Sequence, residues 1–348
     1  MRTATDVMIL IGIIIVLFII GLPTLVLPFG RDQAIFGVVG ETILRGGFPY
    51  RDAFDFKPPG IHLTYAVGSL ISGGRVWGPH LLDLLTWLAG VGALYGLVRP
   101  LGRRAAVIAA LYLGLAYLVC IRYWDLAQPE SFSAALTLIA LLLFRESERP
   151  AGVVVAGVAF GFAFLMKYPA ILALPLFPMV ARMPRNVPPP EGDIVDVSPE
   201  WRHPAIRWLG LGGGWLLIVG GVAVWLAIGG ALSDFVEIQT RYVPGYSQLV
   251  LADGFGVAFR ASLAIATSFF AERPFLSGLP VIGLGLLAIF DRRSGRWIPA
   301  AGIVLQTIGV IAQGKFFHYH WIPLLPYLAW ATGVGIDVLV RRLEHRPR

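Results

Sequence analysis

Long apolar runs, separated by short polar turns, extend along nearly the whole chain of 348 residues. A helix needs about 20 consecutive apolar residues to cross the roughly 30 Å hydrocarbon core of a membrane. Runs of about this length recur along the chain, so the pattern predicts an all-α polytopic membrane protein. Several runs are shorter than about 20 residues, and the predicted number of transmembrane helices is therefore about ten. The predicted spans are residues 7–29, 76–98, 105–122, 128–144, 151–167, 169–182, 208–229, 275–290, 297–313 and 321–340.

The first polar interval, residues 30–75, is predicted to be a long external loop that contains amphipathic helices. Within residues 33–45, polar residues and glycines share one helical face and apolar residues the other, which is typical of a helix lying along a membrane surface. The paired prolines of KPPG exclude a regular helix from the charged segment that follows. The apolar stretches 61–72 and 257–273 are also predicted to lie along the surface.

The composition agrees with a membrane protein, because 57% of the residues are hydrophobic and 14% are charged, against about 25% charged in ordinary soluble domains. Basic residues concentrate in the short turns 99–104, 145–150 and 291–296, and cytoplasmic loops preferentially retain Lys and Arg. We therefore predict cytoplasmic amino and carboxyl termini. The net charge of +7 follows from this topology and does not indicate a nucleic-acid partner. The single Cys120 excludes a disulfide framework.

A proline-rich segment divides the chain into two predicted modules. Residues 1–182 form an amino-terminal transmembrane module, and residues 206–348 form a carboxyl-terminal one with a second external loop at 230–273. The segment between them, 183–205, combines prolines with acidic residues, which is typical of a disordered linker on the cytoplasmic side.

The ionisable residues other than arginine concentrate on the predicted external face. Such groups are costly near a membrane and tend to be functional, so we expect them to converge on one external cavity. Carboxylates there suit a general base or a metal ligand, and the cationic side chains suit a phosphate. This mixture indicates group transfer from a phospholipid-like donor. The candidates are Asp32, Tyr50, Asp52, Asp55, Lys57, Arg122, Asp125, Glu130, Lys167, Arg241, Lys315, His318 and His320.

Structural roles compete with these functional ones. Asp32 also fits the position of a helix cap for residues 33–45. Lys167 also fits a lysine whose ammonium extends to the membrane surface from a helix end. The three charged residues of the turn RYWDLAQPE are equally consistent with solvated side chains paired to one another. The turn QGKFFHYHW is also consistent with an aromatic interface belt.

The order of these motifs is similar to that of a known superfamily. A first span, then DQ on an amphipathic helix, then GG-x-PYRD-x-FD-x-KPPG, resembles the GT-C glycosyltransferases that use polyprenyl-phosphate sugars, including protein O-mannosyltransferases and lipid A aminoarabinose transferases. The segments FLMKYPA and QGKFFHYHWIPLLPYLA resemble later motifs of these enzymes. The resemblance implies an inverting sugar transfer on the external face of the cell membrane, from a polyprenyl-phosphate sugar to a protein, lipid or glycan acceptor.

The residue types and the resemblance together predict residue roles. Asp32 would be the general base. Lys57, with Arg241 and Lys315, would stabilise the departing lipid phosphate, and His318 would hydrogen-bond the phosphate or the sugar. The remaining candidates would surround the substrate: Tyr50, Asp52, Asp55, Arg122, Asp125, Glu130, Lys167 and His320.

Two positions depart from the superfamily pattern. Gln33 stands where relatives carry the Glu of an Asp-Glu pair, and Phe56 stands where some relatives carry an acid that binds a divalent ion with a late histidine. Asp52 or Asp55 could replace that acid and bind a divalent ion together with His318, but one Asp and one His form a weak metal-binding signature. No cofactor is certain, and a divalent metal stays open. The competing functions are a transporter or flippase of a lipid-linked sugar and a non-catalytic GT-C-like subunit.

Overall fold

The structure, a computed structural model, describes residues 3–183, 204–250, 254–290, 297–314 and 317–344. Most of the predicted linker and the candidate Lys315 therefore lie outside the described residues. The described residues form fifteen α-helices and no β-strand, so the predicted all-α class is confirmed. The helices are α1 (Ala4–Gly21), α2 (Arg31–Leu44), α3 (Pro59–Ser72), α4 (Trp77–Val98), α5 (Arg103–Cys120), α6 (Pro129–Glu146), α7 (Pro150–Met166), α8 (Leu176–Ala181), α9 (Pro204–Ile228), α10 (Leu232–Glu237), α11 (Val243–Val250), α12 (Phe255–Ala271), α13 (Pro274–Phe290), α14 (Trp297–Ala312) and α15 (Leu325–Glu344).

Within the described ranges, five helical segments are long and apolar enough to cross a membrane: Ala4–Val26, Trp77–Leu101, Arg103–Cys120, Pro204–Ile228 and His318–Glu344. Shorter apolar helices occupy Pro150–Met166, Tyr168–Ala181, Phe275–Ile289 and Trp297–Ala312. Together with α6, these segments coincide with the ten predicted runs. The polytopic class is supported, and the count of ten crossings stays a prediction.

Helices also form at the three predicted surface stretches, as α2, α3 and α12. Gly40 lets α2 lie directly on α3, since a Cβ at that position would come 2.8 Å from the backbone nitrogen of Ala66. The residue that caps α2 is Gly30, whose backbone N–H donates to the Gln33 side chain. The interpretation of Asp32 as the cap is therefore wrong. Asp32 lies in the first turn instead, where the helix dipole favours a carboxylate.

Arginine side chains tie the helix ends together on one side of the bundle. The buried carboxylate of Asp6 accepts hydrogen bonds from Arg99 and Arg103. The buried Arg145 donates to the carbonyls of Gly96 and Leu97, each over 2.8 Å. Both chain ends of the described bundle lie here, because α1 begins and α15 ends at this side. The polar loops that follow α1, α5, α7 and α14 consequently meet at the opposite side.

Helices α4, α5, α6 and α15 form the buried centre of the bundle, where the rings of Trp87 and Tyr117 stack with centroids 4.0 Å apart. Helix α9 joins this bundle by packing on α7 through glycine. A Cβ on Gly157 would overlap the carbonyl oxygen of Leu211, and one on Gly214 would overlap that of Val154. Small residues of this kind allow helix backbones to approach closely in a membrane.

Candidate active site

The polar loops enclose a cavity of about 760 Å³ on the side opposite the arginine cluster. Its walls come from the start of α2, the turn before α3, the turn between α5 and α6, the turn after α7, the helices after α9 and the turn before α15. The titratable and basic side chains that line it are Arg31, Asp32, Lys57, Asp125, Lys167, Tyr168, Tyr246, His318, Tyr319 and His320. The structure thus brings six of the sequence candidates together: Asp32, Lys57, Asp125, Lys167, His318 and His320.

Asp32 and Lys57 lie close to the same aromatic side chain. The hydroxyl of Tyr319 donates to Asp32 Oδ2 over 3.0 Å, and Lys57 Nζ lies 5.2 Å from the centroid of the Tyr319 ring. Lys57 is 7% exposed. No carboxylate lies within ion-pair distance of Lys57 in the part of the chain that the structure describes. A buried ammonium of this kind favours an anionic ligand.

The turn that carries Lys57 is fixed from beneath by buried polar side chains. The Tyr50 hydroxyl donates to the carbonyl oxygen of Lys57 over 2.8 Å. Asp55 Oδ2 lies 2.8 Å from His62 Nε2, and its other oxygen accepts from the backbone N–H of Phe56. Tyr50 and Asp55 therefore support the turn and do not line the cavity.

Lys167 is buried against an acid behind the cavity wall. Its Nζ lies 2.6 Å from Glu130 Oε1, and His320 Nε2 lies 3.5 Å from the same oxygen. The interpretation of Lys167 as a side chain that extends to the membrane surface is wrong. Lys167 follows the end of α7, and burial lowers its pKa to about 8. The Glu130 carboxylate opposes this shift, and the nearby Lys57 adds to it.

The turn between α5 and α6 carries Asp125 into the cavity. Burial raises the pKa of Asp125 to about 6; Arg122 and Arg273 oppose the shift, and Asp32 and Glu130 add to it. Arg122 itself pairs with Glu272 over 3.2 Å and lies over the Trp124 ring, and its side chain does not line the cavity. Arg122 pairs with Glu272 and Glu130 pairs with Lys167, so the prediction that the three charged residues of this turn pair with one another is wrong.

Two further candidates lie elsewhere. Arg241 is exposed and pairs with Glu237, four residues earlier on the same helical stretch, over 3.3 Å. Asp52 pairs with its neighbour Arg51 over 2.6 Å and accepts from the backbone N–H of Phe48. Neither side chain lines the cavity, and each already has a partner in its own turn or helix.

The proposed metal set does not assemble. Asp55 is bonded to His62, Asp52 is bonded to Arg51, and only His318 of the set lines the cavity. The described residues contain no group of three His, Cys, Asp or Glu side chains able to hold a metal ion. The described residues therefore do not assemble the metal-ligand set that the sequence suggested.

Several polar residues of the site escaped the sequence reasoning. Tyr319 was visible in the HYH motif as the residue between two candidates, but nothing in the pattern links it to Asp32. Gln128 and Tyr168 also line the cavity. Among the described residues, Gln128 Oε1 and the Tyr168 hydroxyl are buried and have no hydrogen-bond partner. Buried polar atoms are rarely unsatisfied, so these two are candidates for ligand contacts.

Comparisons with known proteins agree with this architecture. Residues 56–186 match the sequence model of the dolichyl-phosphate-mannose-protein mannosyltransferase family, which is less than half of the chain. No curated protein sequence matches the chain significantly.

Three solved structures resemble the fold. The structure of ArnT from Cupriavidus metallidurans bound to undecaprenyl phosphate aligns with a TM-score of 0.61 at 16% identity, covering 98% of this chain and 63% of that one. The structure of the Archaeoglobus fulgidus oligosaccharyltransferase tethered to an acceptor peptide aligns with a TM-score of 0.55 at 13% identity. The alignment covers 96% of this chain and 50% of the archaeal one. The structure of the same archaeal enzyme in complex with Zn and sulfate aligns with a TM-score of 0.52 at 13% identity. The alignment covers 95% of this chain and 49% of the archaeal one.

These likenesses define the class of fold. The chain shares the fold of ArnT and of the archaeal oligosaccharyltransferase, which is the class of fold that its motifs predicted. It spans 63% of the ArnT chain and about half of the archaeal enzyme.

Proposed function

We propose that the protein is a membrane glycosyltransferase that moves a sugar from a polyprenyl phosphate to an acceptor hydroxyl. The observation that carries the proposal is the shared cavity of Asp32 and Lys57, which lie 25 residues apart in sequence and meet around Tyr319. An acid beside a buried ammonium that has no carboxylate partner among the described residues matches a reaction in which one group removes a proton and another receives an anion.

The donor phosphate is assigned to the basic part of the cavity. Lys57 and Lys167 contact the phosphate oxygens in this proposal, and His318 donates a hydrogen bond to the phosphate or the sugar. The apolar wall formed by Ile35, Val243 and Ile265 takes the first prenyl units of the lipid. Stabilisation of the charge that grows on a leaving group is usually the largest catalytic contribution.

The chemical step is a single displacement with inversion. The acceptor hydroxyl oxygen attacks the anomeric carbon, and its proton passes to Asp32 as the new carbon–oxygen bond forms. The bond between the anomeric carbon and the phosphate oxygen breaks, and the electron pair leaves with the polyprenyl phosphate. The Tyr319 hydrogen bond to Oδ2 orients the carboxylate so that Oδ1 faces the acceptor. Gln128 and Tyr168 supply polar contacts to the sugar.

The cavity is assigned to the external face of the membrane. The arginine cluster lies at the opposite end of the bundle, and arginines are preferentially retained in the cytoplasm. Both termini are then cytoplasmic. The acceptor is a hydroxyl-bearing protein, lipid or glycan. The acceptor peptide tethered to the archaeal oligosaccharyltransferase makes a protein the first class to test.

The test measures transfer by purified protein from polyprenyl-phosphate sugars, after mass spectrometry of the lipid that copurifies with it. We expect Asp32→Asn to lower transfer about 10²-fold to 10⁴-fold while the lipid stays bound, since general base catalysis contributes about that much. Asp52→Asn is the matched control, because this exposed acid lies outside the cavity, and it should keep nearly full activity.

Near wild-type transfer by folded Asp32→Asn protein contradicts the assignment of the base. Movement of a lipid-linked sugar across proteoliposome membranes without any transfer supports a transporter instead.

A further inference from the structure

We propose that Gln33 is a positioning residue that holds the Asp32 and Asp125 segments together, and that this role requires an amide and not a carboxylate. The inference rests on the proposed glycosyl transfer. It gives a physical reason for the departure of this chain from the Asp-Glu pair of the enzymes it resembles.

The Gln33 side chain connects two segments that are about 90 residues apart in sequence. It is fully buried, and its Nε2 donates to the carbonyl of Leu126 over 2.6 Å and to that of Tyr123 over 3.3 Å. Its Oε1 accepts from the backbone N–H of Gly30 at the start of α2. One side chain therefore satisfies both the helix cap and the turn that carries Asp125.

The chemistry of these contacts selects an amide. A carboxylate has no donor, so a glutamate at this position would place its negative charge against the two carbonyl oxygens of Tyr123 and Leu126. Burying the glutamate carboxylate is strongly unfavourable when no hydrogen-bond donor or cation lies beside it. A protonated glutamate, by contrast, restores one of the two donated hydrogen bonds.

Close packing beside Gln33 shows that the spacing of the two segments is tight. A Cβ on Gly30 would come 2.6 Å from the Cβ of Trp124 and 2.9 Å from its Cα. On the far side of the turn, Ala127 adopts the left-handed region with φ of 49°. The Tyr117 hydroxyl accepts from its N–H, and the Tyr65 hydroxyl donates to its carbonyl oxygen. The turn is thus fixed from behind, and Gln33 fixes it to α2.

This arrangement determines which step of the reaction depends on Gln33. Asp32 precedes it directly in the same helical turn, and Asp125 lies in sequence between the two residues whose carbonyl groups Gln33 binds. Lys57 and Lys167 lie on other elements. Loss of the Gln33 hydrogen bonds should therefore displace the acids of the cavity and leave the phosphate contacts in place. An error of about 1 Å in such a group costs up to about 10²-fold in rate.

The test compares full-length Gln33→Glu and Gln33→Met with the wild type between pH 5 and pH 8. At pH 7.5 we expect both variants to lose kcat by about tenfold or more, with the KM for the donor changed less than about twofold. As the pH falls, the introduced glutamate gains a proton, so the activity of Gln33→Glu relative to wild type should rise severalfold. The ratio for Gln33→Met should stay constant, because its side chain does not titrate.

The ratio to wild type cancels the titration of groups that the substitutions leave in place, and Gln33→Met controls for displacement of the neighbouring acids without an added charge. The titratable and charged groups on the elements that contact α2 are Arg31, Asp32, Glu41, Arg45, His62, Tyr65, Tyr123, Asp125, His318, Tyr319 and His320.

Melting temperatures provide a second measurement that does not need activity. Gln33→Glu should gain stability relative to wild type as the pH falls, and Gln33→Met should not. Full kcat for Gln33→Glu at pH 7.5, or pH ratios that are the same for both variants, overturns the proposal. A wild-type protein without transfer activity overturns the proposed function instead, and the melting curves still test the contact.

Discussion

Donor affinity should depend on pH through Lys167. Its ammonium lies 2.6 Å from Glu130 with 13% of the side chain exposed, and burial lowers its pKa from 10.5 to about 8. This shift corresponds to about 3 kcal/mol against the charged form. If the ammonium binds the donor phosphate, the free protein loses the binding form as the pH rises through 8.

The magnitude follows from the fraction of protonated lysine. At pH 9 about one molecule in ten retains the ammonium, so donor affinity should fall about tenfold between pH 7 and pH 9. Asp125, with its pKa raised to about 6, stays ionised over this range. The titration of Lys167 does not itself destabilise the fold over this range. Lys167 binds more protons in the unfolded chain than in the folded one, so its own contribution to the free energy of unfolding rises with pH between about 8 and 10.5.

The assay is calorimetric binding of a polyprenyl-phosphate sugar to the protein in nanodiscs from pH 7 to pH 9.5. Lys167→Arg should show nearly constant affinity, since a guanidinium stays charged throughout. Glu130→Gln should move the loss of affinity below pH 8, because the carboxylate raises the pKa of Lys167. Constant wild-type affinity up to pH 9.5, or an equal loss in Lys167→Arg, refutes the reasoning.

Three other substitutions test separate parts of the structure. Arg241→Ala should change kcat/KM for the donor less than about twofold, because this exposed pair contributes little; a tenfold loss in a transfer assay contradicts this placement. Gly157→Val should lower the melting temperature by several degrees, since the contact of α7 with α9 has no room for a side chain, and Gly220→Ala, which has open space, is its control. Tyr117→Phe should cost about 1–3 kcal/mol in denaturant unfolding, because it removes a hydrogen bond to the buried Asp83; unchanged stability would show that the bond contributes nothing.

The sequence predicted the elements well because their signals are local. Apolar run length marked the spans, and helical periodicity marked α2, whose observed bounds differ from the predicted 33–45 by one or two residues. The grouping of polar loops on one side of the bundle followed from span alternation and arginine placement. Both rules are applied to stretches of about twenty residues, so they require no knowledge of which distant residues are in contact.

Side-chain partners were beyond such rules. Asp32 meets Tyr319 across 287 positions, and no spacing in the sequence indicates this contact. Arg241 was assigned to the phosphate on charge alone, although Glu237 four residues earlier is the ordinary signal of a helical ion pair. Asp55 was assigned to the substrate with the other ionisable residues of the first external loop, and its actual partner His62 lies one helical turn beyond the prolines.

The glycine contact between α7 and α9 restricts where the proposed lipid donor can enter. The backbones of the two helices are in contact at Gly157 and Gly214, with no side chains between them. No side chain there can change its rotamer to let one helix move past the other. Sliding or rotation there requires complete separation. We expect the hydrocarbon tail to pass on the other flank, beside α12, where Val257, Phe259 and Leu263 are about half uncovered.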